Sequence, residues 1–337
     1  MKDIIVKNVK LNNFRIHENY RRDFDDNTTL ILGKNGCGKT SVLEAIYMAM
    51  RGKSFRAVDR EIIKKEAEYY RVELNYSNGE KVVVVYEQDK KKQFLIKDKK
   101  TARLPKLSKY PAILFLPEDL HLLSSSPTRK RDYFDKLISQ IDESYSVSLS
   151  RYNKVLKQRN EALKNENVTD EMLFSWNLML AKYGVKIRAG RAEIVGRINE
   201  RLTEVYRSIA KNEDEVSIEY KSYTVNAPES EYLRLLSLDF ERDKITGHTN
   251  FGVHKDDFEF IFNNVEADGN ASRGEVRSII LALKFIEADL IYEILGKKPI
   301  VLLDDVFSEL DKTRQKSLIE NFKNHQVILT SVEGVDL

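Results

Sequence analysis

From Gly33 to Thr40 the chain reads Gly-Lys-Asn-Gly-Cys-Gly-Lys-Thr, the spacing G-x-x-x-x-G-K-[ST] that grips the phosphates of a nucleotide. Gly33, Gly36 and Gly38 let several backbone N–H groups turn toward one anion, where a Cβ would block the turn or the approach of a phosphate. Lys39 supplies a point charge for the β and γ phosphates, and the Thr40 hydroxyl a ligand for Mg²⁺. The expected cofactor-binding set is therefore Gly33, Lys34, Asn35, Gly36, Cys37, Gly38, Lys39, Thr40 and Ser41, with ATP and Mg²⁺ as cofactors. Cys37 is the single cysteine of the chain, which excludes an internal disulfide and suits a reducing compartment. Its place in the loop invites a redox reading, but a small residue tolerated where the backbone binds is the plainer one.

The chemistry is completed far along the chain. The apolar run 300–303 ends in Asp304 and Asp305. In an ATPase, Asp304 joins Thr40 in the metal shell, while Asp305 orients or deprotonates the attacking water. Lys39 and Asp305 are thus the catalytic candidates, and Thr40 and Asp304 the metal ligands. Two acids at the end of a buried strand are costly without a cation. Thr330 closes the next apolar run, 327–329, where its hydroxyl can sense a γ phosphate. Ser272 and Gly274 open a helical pattern carried by Ile279, Ile280, Leu283, Ile286 and Leu290, and a helix amino terminus is a second anion site.

Positioning these groups requires particular elements. Leu30, Ile31 and Leu32 suit a strand covered on both faces, and Val42, Leu43, Ile46 and Ala49 recur at helical spacing. Residues 4–24 read as one or two strands joined near Asn12, Asn13, Arg15 and His17. Three antiparallel strands are expected at 72–76, 82–87 and 94–97, with a turn at Asn78-Gly79, and another buried strand at 112–116. Ser126 or Thr128 caps a helix with Pro127 in its first turn. Arg129, Lys130 and Arg131 there oppose the helix dipole and suggest an anion partner.

From about 128 to 211 the pattern is helical, broken at 165–169, with an apolar stripe of Ile187, Ile194, Ile198, Leu202, Val205 and Ile209. Arg151, Lys154, Lys157, Arg159, Arg188, Arg191, Arg197 and Arg201 are expected on the opposite, solvated faces. Strands follow at 217–223 and 258–262, with a helix near 231–240 between them. His254, Asp256 and Asp257 resemble a metal cluster only weakly, and a structural or DNA-facing loop is the better reading.

Charged residues make up 32% of the 337 but nearly cancel, to a net +3, so any nucleic-acid surface must be local. The apolar runs are too short to cross a bilayer, which predicts a cytoplasmic protein with no membrane partner.

Taken together, the phosphate loop, the Ser-x-Gly-Glu start of a helix and the Asp-Asp strand followed by Ser308-Glu309-Leu310-Asp311 resemble the ABC ATPase branch that includes structural-maintenance-of-chromosomes and Rad50 proteins. Within it the chain is most similar to the RecF family, through Asn13-Phe14-Arg15, Pro117 to Leu120, Ser126 to Arg131, Gly252 to Asp257 and LLDDVFSELD. The resemblance implies an α/β fold: an ABC-type ATPase head, made of a P-loop core sheet and a small antiparallel sheet, with an inserted helical arm. The head occupies 1–127 and 246–337, the arm 128–245. It also implies an ATP-dependent homodimer, in which Ser272 and Gly274 of one subunit close over the nucleotide of the other. That dimer would clamp DNA at single-strand gaps and duplex junctions, hydrolyse ATP slowly, and work with RecR and RecO in loading RecA. The chain departs from the family at Arg273 and Glu275, where glutamines are common, and at Val253 and Lys255, where proline and arginine are usual. Thr330 and Ser331 stand where many ABC proteins have a histidine.

Overall fold

The computed structural model describes residues 3–97, 99–223 and 227–334. Strands β1 (Val6–Phe14), β2 (His17–Asp23) and β3 (Thr28–Leu32) lead to helices α1 (Lys39–Arg51) and α2 (Asp59–Ile62), then β4 (Tyr69–Tyr76), β5 (Lys81–Glu87), β6 (Gln93–Ile96), β7 (Lys99–Thr101) and β8 (Ala112–Phe115). Next come α3 (Pro127–Ile141), α4 (Glu143–Ala162), α5 (Asp170–Ala210), β9 (Val216–Lys221), α6 (Glu229–Leu238), α7 (Phe240–Thr246), β10 (Asp257–Phe262) and β11 (Val265–Glu266). The chain closes with α8 (Arg273–Leu295), β12 (Ile300–Asp304), α9 (Lys312–Phe322) and β13 (Val327–Ser331). Two compact units result, residues 1–120 with 287–337, and residues 121–286.

The first unit holds a parallel sheet in the order β3-β13-β12-β8 and an antiparallel sheet in the order β2-β1-β4-β5-β6-β7. All five residues of β12 and of β13 are buried, as expected of central parallel strands covered on both faces. Helix α1 touches strands of both sheets and buries eleven of its thirteen residues, which is why it is apolar almost all round. The antiparallel sheet is larger than the three strands expected, because β1 pairs with β4 from Val6↔Tyr76 to Asn12↔Arg71 and brings β2 with it. Gln326 joins the two sheets. Its side chain accepts from Val6 N at 2.7 Å and donates to Val6 O at 2.7 Å and Asp25 O at 2.9 Å, taking the place of a neighbouring strand.

In the second unit, helices α3 to α7 and the first part of α8 accompany the sheet β11-β10-β9. The segment 246–286, read from sequence as part of the head, lies in this unit, where β10 pairs with β9 from Asp257↔Lys221 to Phe262↔Val216. The open edge of β9 is covered by α5. Asn199 exchanges two 2.8 Å hydrogen bonds with Ile218 N and O, and Thr203 does the same for Val216 at 3.1 and 2.8 Å. Unpaired strand edges invite association, and here two side chains one helical turn apart stand in for a strand. The helical break is a turn around a small core of Leu163, Val168 and Leu173.

The apolar stripe of α5 is buried as expected, with Tyr206 at 0% exposure beside a half-buried Val205. The expected basic outer face needs correction. Arg159, Arg188 and Arg191 are at most 2% exposed. Arg191 binds Asp135 in bidentate fashion at 2.9 Å and also Val253 O at 2.7 Å. Arg159 binds Asp243 and Asn177 at 2.7 Å and Thr249 at 2.8 Å, and Arg188 donates to Ala227 O at 2.7 Å. Helical spacing alone cannot separate a solvated arginine from one paired inside.

Candidate nucleotide site

Strand β3 is the edge of the parallel sheet, and Gly33 N still reaches Ser331 O at 3.3 Å before the chain leaves it. Lys34, Asn35, Gly36 and Cys37 then lie exposed in the loop. Gly38 has φ +94°, and a Cβ on it would come within 2.5 Å of His17 Nε2, so only glycine fits. His17, the first residue of β2, contacts Gly38 O at 3.1 Å and so braces the loop. Lys39 is 6% exposed. Its ammonium donates to Gly33 O at 2.7 Å and Lys34 O at 3.3 Å, and stands 3.8 Å from Asp305 Oδ2. The Ser41 hydroxyl faces the other way and accepts from Arg56 Nη2 at 3.2 Å.

Residues 264 positions apart in the chain meet here: Thr40 Oγ1 donates to Asp304 Oδ1 at 2.8 Å. Thr330, 1% exposed, donates to the same oxygen at 2.9 Å and accepts from Asp305 N at 3.0 Å. Burial raises the Asp304 carboxyl above its ordinary value, with the neighbouring Asp305 charge adding to it, and outweighs the hydrogen bonds from Thr40 and Thr330. Asp305 takes the left-handed conformation at φ +52°, a strained position for a residue with a side chain, and its Oδ1 is buried without a hydrogen-bond partner among the described residues. A raised carboxyl, an orphan carboxylate oxygen and a hydroxyl on one side suit a hard divalent cation with oxygen ligands.

Behind the loop lies a group that the sequence reading passed over. Glu44, on α1, is 0% exposed. It accepts from Arg15 Nε at 3.0 Å and Nη2 at 2.8 Å, from Arg56 Nε at 3.0 Å and from Ser54 Oγ at 2.6 Å. Burial alone would raise its carboxyl, but the Arg15 and Ser54 hydrogen bonds and the Arg56 charge prevail and hold it low. The signal was present: a lone acid inside the apolar run 42–50 must be paired, because an isolated buried charge is too costly.

Ser272 and Gly274 belong to the second unit. Ser272 N donates to Glu275 Oε2 at 2.6 Å, and Glu275 N donates to Ser272 Oγ at 3.3 Å, a reciprocal cap on α8. The Glu275 carboxylate is thus turned onto its own helix end, and the Ser272 hydroxyl hydrogen remains to be donated.

The basic opening of α3 finds partners inside the chain: Lys130 stands 3.5 Å from the Asp257 carboxylate, and Arg131 donates to the Asp256 carbonyl at 2.6 Å. Lys92, between β5 and β6, pairs with Asp59 at 2.9 Å. Among the described residues no group of His, Cys, Asp and Glu is arranged to hold a metal by itself. His254 is instead bound by Tyr152 Oη and Thr249 O, each at 2.9 Å. No helix among the described residues is long and apolar enough to cross a membrane.

A parallel sheet that sends a phosphate loop into a buried helix and returns paired carboxylates beside it, with an antiparallel sheet against that same helix, is the head of an ABC-type ATPase. A family model described as an AAA domain matches residues 8–234. The DNA replication and repair protein RecF of Clostridium perfringens is 33% identical over 98% of this chain and 94% of its own length, and that of Clostridioides difficile 33% identical over 97% and 91%. The chain belongs to the RecF family. Among solved structures, the recombination mediator protein RecF-ATP in the RecFOR pathway superposes with a TM-score of 0.90 at 27% identity, covering 99% of this chain and 94% of that one. An SMC head bound to the C-winged helix domain of ScpA, at TM-score 0.53 and 15% identity over 97% and 89%, shares the fold alone.

Proposed function

We propose that this protein is an ATP-dependent, DNA-binding recombination mediator of the RecF type, cytoplasmic and acting as a nucleotide-driven homodimer. The observation that carries this reading is the junction of Thr40, Asp304 and Thr330 beside Lys39 and an incompletely bonded Asp305. In it, the loop 33–38 and Lys39 bind the phosphates of ATP, and Thr40 and Asp304 hold Mg²⁺. When bound, that ion would supply positive charge to the phosphates as they react. Asp305 orients the attacking water and accepts its proton, while Lys39 moves from the loop carbonyls to the γ phosphate. Thr330 acts on the nucleotide through the two carboxylates it fixes. Ser272, with its hydroxyl hydrogen unspent, and the Gly274 backbone close over the nucleotide of a second copy.

Hydrolysis is slow and serves to open the dimer, which clamps DNA at single-strand gaps and their junctions. RecR and RecO are the expected partners in loading RecA. The resemblance of nearly the whole chain to RecF proteins supports these roles.

Sedimentation with and without ATP, each repeated with gapped duplex DNA, tests the reading. Lys39→Ala should lose ATP binding, whereas Asp305→Asn should bind ATP and accumulate as dimer. An Asp305→Asn protein that stays monomeric with ATP, at concentrations where the unmodified protein dimerises, rules out the shared site. DNA binding should strengthen with ATP and weaken steeply with salt, and a binding curve indifferent to nucleotide would favour an ATPase that does not act on DNA.

A further inference from the structure

Residues 249–255 are held with more interactions than a passive loop requires, and the nucleotide site uses none of them. Beneath the loop, Tyr232 Oη accepts from Val253 N at 3.0 Å, and His254 is bound through both ring nitrogens. Thr249 N and Asn250 N are taken by Asn160 at 2.9 Å and Asp243 at 2.8 Å. Gly252 has φ +135°, and a Cβ there would lie 2.4 Å from Tyr152 Oη, so the loop can lie this close to the tyrosines only as bare backbone.

The loop contributes to a cleft of about 640 Å³ within the second unit, a volume in the range of small-ligand sites. Phe251 stands in it between Tyr223 and Tyr232, with ring centroids 6.2 and 4.9 Å away. Tyr223 is 83% exposed and Leu238 65% exposed, so part of the wall is open aromatic and aliphatic surface. Arg242 and Lys255, also lining the cleft, are exposed, and neither makes an ion pair among the described residues. Arg159 and Arg191 in this unit are matched to acids; Arg242 and Lys255 line the cleft without an ion pair among the described residues, in company with aromatic rings and the carboxylate of Asp239.

Aromatic walls over a rigid floor, with free cations among the lining residues, fit a planar anion. We propose that the cleft receives one unstacked nucleotide of a single DNA strand. Its base lies against Tyr223 and Phe251, and its phosphate is held by Arg242 and Lys255. A base within a duplex is stacked and paired, and so cannot enter. The site therefore distinguishes the single-stranded side of a junction by shape and stacking rather than by base identity. This inference rests on the DNA-binding reading for the source of the strand, but on the second unit alone for its geometry.

The test uses the full chain, a thymidine 12-mer carrying one 2-aminopurine, and gapped duplex in parallel. Stacking should quench the 2-aminopurine fluorescence on binding. Tyr223→Ala and Arg242→Glu should each weaken oligonucleotide binding about tenfold or more, as losing one base–aromatic contact does. Tyr223→Phe should retain binding and quenching. Quenching and affinity unchanged in Tyr223→Ala overturn the inference. So does a protein that binds gapped duplex yet leaves the oligonucleotide unquenched, and in that case the DNA-binding reading survives. Binding to neither ligand removes both.

Discussion

Thr330 donates to Asp304 at 2.9 Å and receives the N–H of Asp305 at 3.0 Å, so one hydroxyl on β13 sets the positions of both acids at the end of β12. The parallel pairing Asp304↔Thr330 brings the side chain there, and its burial prevents it from turning elsewhere. Thr330→Val keeps the shape and removes the hydroxyl. The expected result is intact ATP binding with hydrolysis slowed roughly 10- to 100-fold, equivalent to about 1.4–2.7 kcal/mol at the barrier. Equal turnover in single-turnover kinetics would mean that the acids are held by other contacts.

Asp304 works at a cost to the metal-free protein. Its carboxyl is raised above the ordinary 3.8, first by burial. For a carboxyl raised on folding, stability is present at low pH and is lost as pH climbs from the ordinary value through the folded one. Asp304→Asn removes that penalty and keeps an oxygen for Thr40 and Thr330. The metal-free variant should therefore melt at a higher temperature than the unmodified protein at pH 7.5, while Mg²⁺-dependent hydrolysis falls about a hundredfold or more. Calorimetry without metal checks the first outcome, and phosphate release the second.

Much of this site could be read in the chain because its parts are local. A phosphate loop is a continuous run of residues, and Asp304-Asp305 follows directly on its own strand. The links between those parts were not legible. Glu44 meets the Arg15 side chain across 29 residues, and the Gln326 side chain meets the Val6 backbone across 320, and no periodicity announces such pairs. The arm shows the opposite failure. Arg188 and Arg191 fall at regular helical spacing, yet burial of Asp135 and Asp256 nearby turns the expected solvated face inward.

His254 gives a pH signature. Burial, the main cause, lowers it from 6.5 to about 4, against the favourable hydrogen bond to Thr249 O. Above pH 6.5 the ring is neutral in both folded and unfolded chains, and its contribution is complete. Below that value the unfolded chain takes up a proton that the folded one refuses, so stability is lost as pH falls toward 4. The difference is about 2 kcal/mol by pH 5. Urea midpoints at pH 7 and pH 5 should separate less in His254→Gln than in the unmodified protein. An identical separation would show that His254 protonates as freely when folded.

Gln326 offers the sharpest structural test, because its side chain takes the place of a neighbouring strand. It is 4% exposed, and its amide satisfies Val6 N, Val6 O and Asp25 O. Gln326→Leu has similar bulk but leaves those backbone groups buried and unpaired. Each orphan costs about 1–3 kcal/mol, so a loss of roughly 3 kcal/mol is expected once some relaxation is allowed. The damage should also be directional. β1 pairs with β2, whose first residue, His17, meets Gly38 O, so loosening β1 should raise the ATP dissociation constant through the brace on the phosphate loop. Hydrogen exchange would then quicken in β1 and in residues 33–38 before it does in β12. Uniform quickening across the first unit would instead mark Gln326 as a contributor to global stability with no particular hold on the loop.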